Sequence, residues 1–161
     1  MTALGRQFRA LLLAMLACVL TLGAEEPIVP VTVCEVLRDL SGQEGKPLAV
    51  LGRYSFREGG RWVGEQTCDP TTAATPALWL VEDSKDGPKP PGNFELDATA
   101  VRRKLTEVAR HTSLSKFRFG TPDYDRWVVI YGRVEPRKPE DKKASANLVI
   151  RGNAVIVFLT P

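Results

Sequence analysis

Residues 46–58, KPLAVLGRYSFRE, decide the fold because they predict one long β-strand with a glycine at its centre. Gly52 predicts a bulge or a sharp bend at the middle of this strand. A small closed barrel needs such a strand, because one strand must turn a corner and take part in two layers of the sheet. The apolar residues of one parity share one face of the strand: Leu48, Val50, Tyr54 and Phe56.

Four more strands are predicted around this one. The dipeptide Gly59-Gly60 indicates a hairpin turn, after which the next strand leads to Cys68. The last predicted strand is interrupted at Gly152-Asn153, which is either a bulge or a tight turn that splits it into a hairpin. The four strands cover residues 61–67, 77–82, 126–137 and 147–159.

Two helices are predicted by their first residues and by their apolar spacing. Thr32 and Glu35 have the spacing of a capping box, which predicts a short helix over residues 33–40. Asp97 is placed to cap a second helix over residues 98–111. One face of the second helix is apolar, at Val101, Leu105, Val108 and Ala109.

The predicted order is a short N-terminal helix followed by β-β-β-α-β-β, a mainly β fold with α. Five strands with a helix between the third and the fourth are the layout of the OB-fold, a five-stranded Greek-key barrel. The segment Cys34-Glu35-Val36-Leu37, followed by Gly45-Lys46-x-Leu48-x-Val50-x-Gly52, resembles small exported bacterial OB-like proteins of unknown function. The resemblance covers roughly residues 33–81. It implies a fold and an exported location and brings no catalytic residues.

The first 24 residues predict a cleavable signal peptide. Arg6 and Arg9 precede an apolar run over residues 10–22, and small residues follow at 23–24. We therefore expect residues 25–161 to form a single OB-like domain in the secreted or periplasmic space. Two alternatives stay open: a retained membrane anchor, and lipidation at Cys18, since residues 15–17 ahead of it end like a bacterial lipobox.

The charge of the chain does not favour a polyanionic partner. The whole sequence has 22 Lys and Arg against 19 Asp and Glu, but two of the basic residues belong to the predicted signal peptide. The remaining domain is close to neutral, so binding to nucleic acid is not expected. Contact with a membrane is expected only if the leader is retained or Cys18 is acylated.

Cys34 and Cys68 are the two cysteines that remain after removal of the leader, and they predict a disulfide in an exported chain. Closing a loop of this length stabilises the fold by roughly 3.5 kcal/mol in the chain-entropy treatment. A structural metal site is the less favoured interpretation. The spacing is not CxxC, and the single histidine of the chain, His111, lies far away in sequence.

No catalytic residue, cofactor or metal ligand is predicted. His111 comes at the end of a predicted helix, where an imidazole commonly faces the terminal carbonyl groups. The main alternative is a secreted metal-dependent hydrolase, because the thermonuclease family resembles this architecture. Arg53 and Arg133 are the candidate arginines, and Tyr131-Gly132-Arg133 is similar to that family's Tyr-Gly-Arg. Its Asp-Gly-Asp-Thr type of metal segment is absent from the sequence.

A binding surface is the favoured functional prediction, since OB barrels bind ligands across strands 2 and 3 and the adjoining loops. Trp79 and Trp127 are expected to pack in the core. The function expected is a non-catalytic binding or structural module of the cell envelope, with an envelope protein, a peptide or a glycan as its partner. The residues predicted to form the surface are Arg53, Arg57, Arg61 and Trp62.

Overall fold

The structure is a computed structural model, and it describes residues 26–57, 60–68, 76–114, 124–137, 145–152 and 155–160. The predicted signal peptide and Cys18 lie outside these residues, as does Gly59 of the predicted hairpin turn. The backbone of Arg57 is described, but its side chain is not.

The described residues contain three helices and seven strands. None of these helices has the length and apolar character needed to cross a bilayer. The helices are α1 (Val33–Arg38), α2 (Leu40–Gln43) and α3 (Ala98–His111). The strands are β1 (Val31–Thr32), β2 (Pro47–Arg57), β3 (Gly60–Gly64), β4 (Ala77–Glu82), β5 (Tyr124–Pro136), β6 (Ala146–Ile150) and β7 (Ile156–Leu159).

Five of the strands close a barrel. Neighbouring strands follow the order β2-β3-β4-β6-β5, and the long pairing of β2 with β5 completes the circle. The pairing of β4 with β6 is parallel, and the other four pairings of the barrel are antiparallel. The prediction of a mainly β domain built on a barrel is confirmed.

The two longest strands extend beyond the barrel wall, and a short strand covers each extension. β1 pairs in parallel with β2 at Val50 and Leu51, and β3 takes over the same edge from Arg53 onward. Gly52 therefore lies where β2 changes partner. In the same way β5 pairs with β7 over residues 127–130 and with β6 over residues 133–136.

The end of the chain is one strand interrupted, rather than a hairpin. β6 and β7 do not pair with each other; they follow one another along the same edge of β5, both antiparallel to it. The pairing register with β5 differs by four residues between β6 and β7. Because β6 and β7 run in the same direction, the hairpin alternative at Gly152 is wrong.

Two hydrophobic clusters stabilise the fold on opposite faces of β2 and β5. The barrel interior holds Val50, Tyr54, Val128 and Ile130 together with apolar residues of β3, β4, β6 and α1. The second cluster lies outside the barrel, between these strands and α3. Its buried members are Ala49, Leu51, Val101, Leu105, Val108, Trp127 and Val129.

The helix starts follow the capping pattern of the sequence. Thr32 Oγ1 accepts the backbone N–H of Glu35, and the Glu35 carboxylate accepts that of Thr32. Asp97 accepts the N–H groups of Thr99 and Ala100 at the start of α3. Lys104 of α3 forms an ion pair with Glu35, so that the two helices are joined by their charges.

Candidate functional site

A groove with a volume of about 700 Å³ lies between α3 and β7. A cavity of this size, lined mostly by apolar side chains, is typical of ligand sites. Val157 and Leu159 project from β7 into the groove, because alternate residues of a strand share a face. The helix side is formed by Leu96, Ala98, Val101, Arg102, Leu105, Thr106, Ala109 and Arg110.

Ala109 shows how this groove arises. The helical periodicity assigns it to the buried face of α3, yet it is exposed in the structure, while Val101, Leu105 and Val108 are buried. The apolar face of α3 is therefore wider than the sheet beneath it. The part that the sheet does not cover forms one wall of the groove.

The charged groups of the groove are positive. Arg102 and Arg110 lie on its helix side and are exposed, and among the described residues no acidic side chain lines it. The two arginines are eight positions apart in the helix, which places them about 12 Å apart along its axis. The groove therefore offers an apolar floor with two guanidinium groups beside it.

β7 has an edge that no described strand covers. It pairs with β5 on one side and ends the strand order of the sheet as far as the structure describes it. Its four residues, IVFL, contain no charge, and Phe158 is 58% exposed on the face opposite the groove. Natural proteins usually protect such edges, so an apolar edge strand left open is a candidate pairing site.

The residues predicted as a binding surface are divided between two faces: Arg53 shares a face with Ser55 and its partner Trp62, and Arg61 lies on the other face. The β2–β3 register pairs Arg61 with Phe56 and Trp62 with Ser55, so Arg61 and Trp62 project to opposite faces of β3. Arg61 forms a partly exposed ion pair with Glu82 at 3.1 Å. Arg53 donates from Nη1 to the carbonyl of Ser113, 2.9 Å away, beyond the end of α3.

Trp62 has a partner that the sequence did not indicate. Trp79 is half-buried and stacks on it, with ring centroids 5.8 Å apart and planes 17° from parallel. Leu78 and Leu80 beside it belong to the barrel interior, so alternation places Trp79 outside. Gly60 permits this arrangement, because a Cβ there would lie 2.3 Å from the Trp79 ring. Trp127, by contrast, is buried as expected.

A polar cluster lies where α1, β3 and α3 meet. The predicted disulfide between Cys34 and Cys68 is present. Glu65, directly after β3, is 1% exposed and accepts the backbone N–H of Cys34 at 2.8 Å. Its other carboxylate oxygen lies 2.9 Å from Nε2 of His111. His111 is thus far from Cys34 in sequence and adjacent to it in space.

The arginines of the hydrolase alternative are well separated. In the β2–β5 ladder Arg53 lies opposite Trp127, and Arg133 lies opposite Pro47. Pro47 precedes Arg53 by six residues, so the two arginines lie about 20 Å apart along the strands. Arg133 donates to Glu135 and to the carbonyl of Asp86. The two guanidinium groups therefore do not face a common reaction centre.

The Glu35 carboxyl has a pKa below its usual value of 4.5. Burial raises this pKa, but the hydrogen bonds from Lys104 and the Thr32 N–H, with the charges of Lys104 and Arg38, outweigh that effect. The ionised carboxylate is therefore part of the contact between α1 and α3.

Comparison with known proteins finds no matching family model, no matching curated protein and no matching solved structure. The function is therefore argued from the chain's own residues. Of these, the groove between α3 and β7 is the site with the most suitable geometry for a ligand.

Proposed function

We propose that this protein is an exported, non-catalytic binding module of the cell envelope, and that its groove receives an extended segment of another envelope protein. The observation that carries the proposal is an apolar groove beside an open strand edge. An extended peptide that adds to such an edge gains main-chain hydrogen bonds, while its alternate side chains enter the groove. Val157 and Leu159 form the floor that those side chains would contact.

The charge of the groove favours an acidic segment over a second copy of this chain. Arg102 and Arg110 would pair with carboxylates of the partner. Two β7 strands of identical chains, paired edge to edge, would bring four arginines together with no acidic residue from either strand. A heterologous peptide with apolar residues at alternate positions and acidic residues beside them fits better.

The fold supports the same assignment. We assign the barrel to the OB-like class, with α1 as its N-terminal helix. The support is the closed order β2-β3-β4-β6-β5, the parallel pairing of β4 with β6, and the position of α3 between β4 and β5. The disulfide is compatible with an oxidising compartment, and the leader pattern of residues 1–24 supports export to it.

The test is selection of random decapeptides on a display library, followed by binding measurements with two matched variants. Arg102 lines the groove, whereas its neighbour Arg103 is exposed outside it. We expect selected peptides to be acidic with alternating apolar residues. Arg102→Glu should weaken binding about tenfold or more, about 1.4 kcal/mol, and Arg103→Glu should leave it within about twofold.

Two results would contradict the proposal. One is an equal effect of both charge reversals, which would show general electrostatic attraction instead of a defined site. The other is a concentration-dependent dimer in light scattering that Arg102→Glu strengthens, which would make a second copy the occupant of the groove.

A further inference from the structure

The cluster around Glu65 contains a complete set of zinc ligands once its disulfide is reduced. We propose that the reduced chain binds one Zn²⁺ through Cys34, Cys68, Glu65 and His111, and that formation of the disulfide expels the ion. This site is separate from the groove, and its test does not depend on the peptide-binding proposal.

The ligand atoms are already close together. The Cys34 sulfur, a Glu65 oxygen and a His111 ring nitrogen all lie within 4.8 Å of one another. The Cys68 sulfur is bonded to that of Cys34, so it belongs to the same group. Tetrahedral zinc, with bonds of about 2.0–2.3 Å, holds its ligand atoms roughly 3.5 Å apart. The side chains would therefore move by about 1 Å to enclose the ion.

The folded elements hold these residues in place. Cys34 is in the first turn of α1, Glu65 directly follows β3, and His111 is the last residue of α3. One carboxylate oxygen of Glu65, Oε1, accepts the Cys34 N–H, and the other, Oε2, faces His111 and is the one that would bind the metal. The backbone hydrogen bond would orient the carboxylate as an outer-shell contact orients a metal ligand.

The chemistry of this donor set favours zinc. Two thiolates, an imidazole and a carboxylate are the ligand types found in tetrahedral zinc sites, whereas magnesium and calcium prefer sites made of oxygen atoms. The thiolate is the form of cysteine that binds a metal. The disulfide form therefore retains only the His111 and Glu65 side chains as ligands, which are too few to hold the ion.

The redox step is balanced with an oxidised dithiol carrier as the co-reactant. The two zinc-bound thiolates lose two electrons and form one sulfur–sulfur bond, and Zn²⁺ leaves. The carrier's disulfide gains the two electrons and takes up two protons from solvent to become a dithiol. In the reverse direction a reduced dithiol opens the Cys34–Cys68 bond, and the thiols release their protons as zinc binds.

The test compares metal binding by the oxidised protein and by protein reduced with a phosphine, both without a polyhistidine tag. We expect one zinc per reduced chain, measured against a chromogenic chelator, and none in the oxidised chain. Cobalt should give a sulfur-to-metal charge-transfer band and the visible bands of a tetrahedral site in the reduced protein only. Far-ultraviolet circular dichroism should retain the β-sheet signal during binding.

His111→Ala is the informative variant, because His111 is partly exposed and its loss should leave the fold intact. Outer-shell partners are already worth about 10–100-fold in metal affinity, so loss of this ligand should weaken zinc binding by at least that factor. Glu107→Gln, an exposed carboxylate elsewhere on α3, is the control and should bind as the unmodified chain does.

Three results would overturn the proposal. The first is a reduced chain that binds no zinc. The second is equal binding by the oxidised and reduced chains, or by His111→Ala and the unmodified chain. The third is zinc bound by a reduced chain that has lost its β-sheet signal, since the ligands would then come from an unfolded chain.

Discussion

Glu65 is an acidic side chain with almost no access to solvent, and its two hydrogen-bond partners explain why it is tolerated. A buried carboxylate is costly unless it is paired. Here one oxygen accepts an N–H at the start of α1 and the other lies beside His111. Removal of the Glu65 side chain leaves the partly buried Cys34 N–H without that acceptor.

We therefore expect Glu65→Ala to lower the free energy of unfolding by about 1–3 kcal/mol, the cost of an unsatisfied buried polar group. Urea unfolding of the oxidised protein measures it. Glu107→Ala, on the exposed side of α3, should change stability by no more than about 0.5 kcal/mol. Equal effects of the two substitutions would show that the Glu65 contacts contribute nothing.

Glu35 should make the free energy of unfolding depend on pH in the acid range. Because its pKa is lowered in the folded state, its contribution is present above the usual value of 4.5 and is lost as the pH falls through the folded-state pKa. Glu35→Gln should therefore be less stable than the unmodified protein at pH 7, and the difference should shrink towards pH 3. Denaturant unfolding at both pH values measures this. A difference that does not change with pH would contradict the prediction.

At the scale of elements, the change of partner along β5 depends on a close approach at Gly132. A Cβ there would lie 2.8 Å from the Val149 carbonyl oxygen and 2.9 Å from the Leu148 side chain. We expect Gly132→Ala to destabilise the fold by about 1–3 kcal/mol through overpacking. At Gly92 a Cβ meets nothing within 4 Å, so Gly92→Ala should be neutral or slightly stabilising. Thermal unfolding measures both variants, and similar changes in melting temperature for Gly132→Ala and Gly92→Ala would contradict the close packing at Gly132.

The sequence predicts the local elements well, and for local reasons. Strand β2 and helix α3 lie within one residue of their predicted bounds. Alternation and capping are decided by neighbours a few positions apart, as the Asp97 cap shows. The interruption at Gly152 was also visible, because glycine marks it directly.

The candidate sites are less predictable because they depend on distant pairings. Strand alternation alone separates Arg61 from Trp62, but which of them shares a face with Arg53 depends on the pairing of β3 with β2. Likewise, the apolar run at 156–159 does not show that its outer edge stays open. The Glu65–His111 contact joins residues 46 positions apart, and no spacing rule indicates it. For the groove, the sequence offers one usable signal: Ala109 is a small apolar residue at the border of the apolar face of α3.

At the scale of the whole molecule, the Cys34–Cys68 bond joins α1 to the segment that follows β3. We expect its reduction, in the presence of a chelator that removes zinc, to lower the free energy of unfolding by about 3–4 kcal/mol, the chain-entropy value for a loop of this length. The urea midpoint with and without a phosphine measures it. An unchanged midpoint would show that the bond does not stabilise the fold by reducing the conformational entropy of the unfolded chain.

Binding of a partner segment in the groove, as proposed above, would add a strand to the edge of β7. The most direct measurement is amide hydrogen exchange along β7, residue by residue, with and without a peptide selected on the groove. In an antiparallel pair alternate residues turn their N–H groups away from the partner, so half of the β7 amides face the open edge.

We predict that the peptide slows exchange at these outward amides by about tenfold or more, since a new ladder bond must open before they exchange. Val157→Asp, which places a charge in the groove, should abolish that protection, whereas Phe158→Asp on the opposite face should retain it. Protection confined to α3, with β7 unchanged, would contradict strand addition and leave the groove as a pocket for side chains alone.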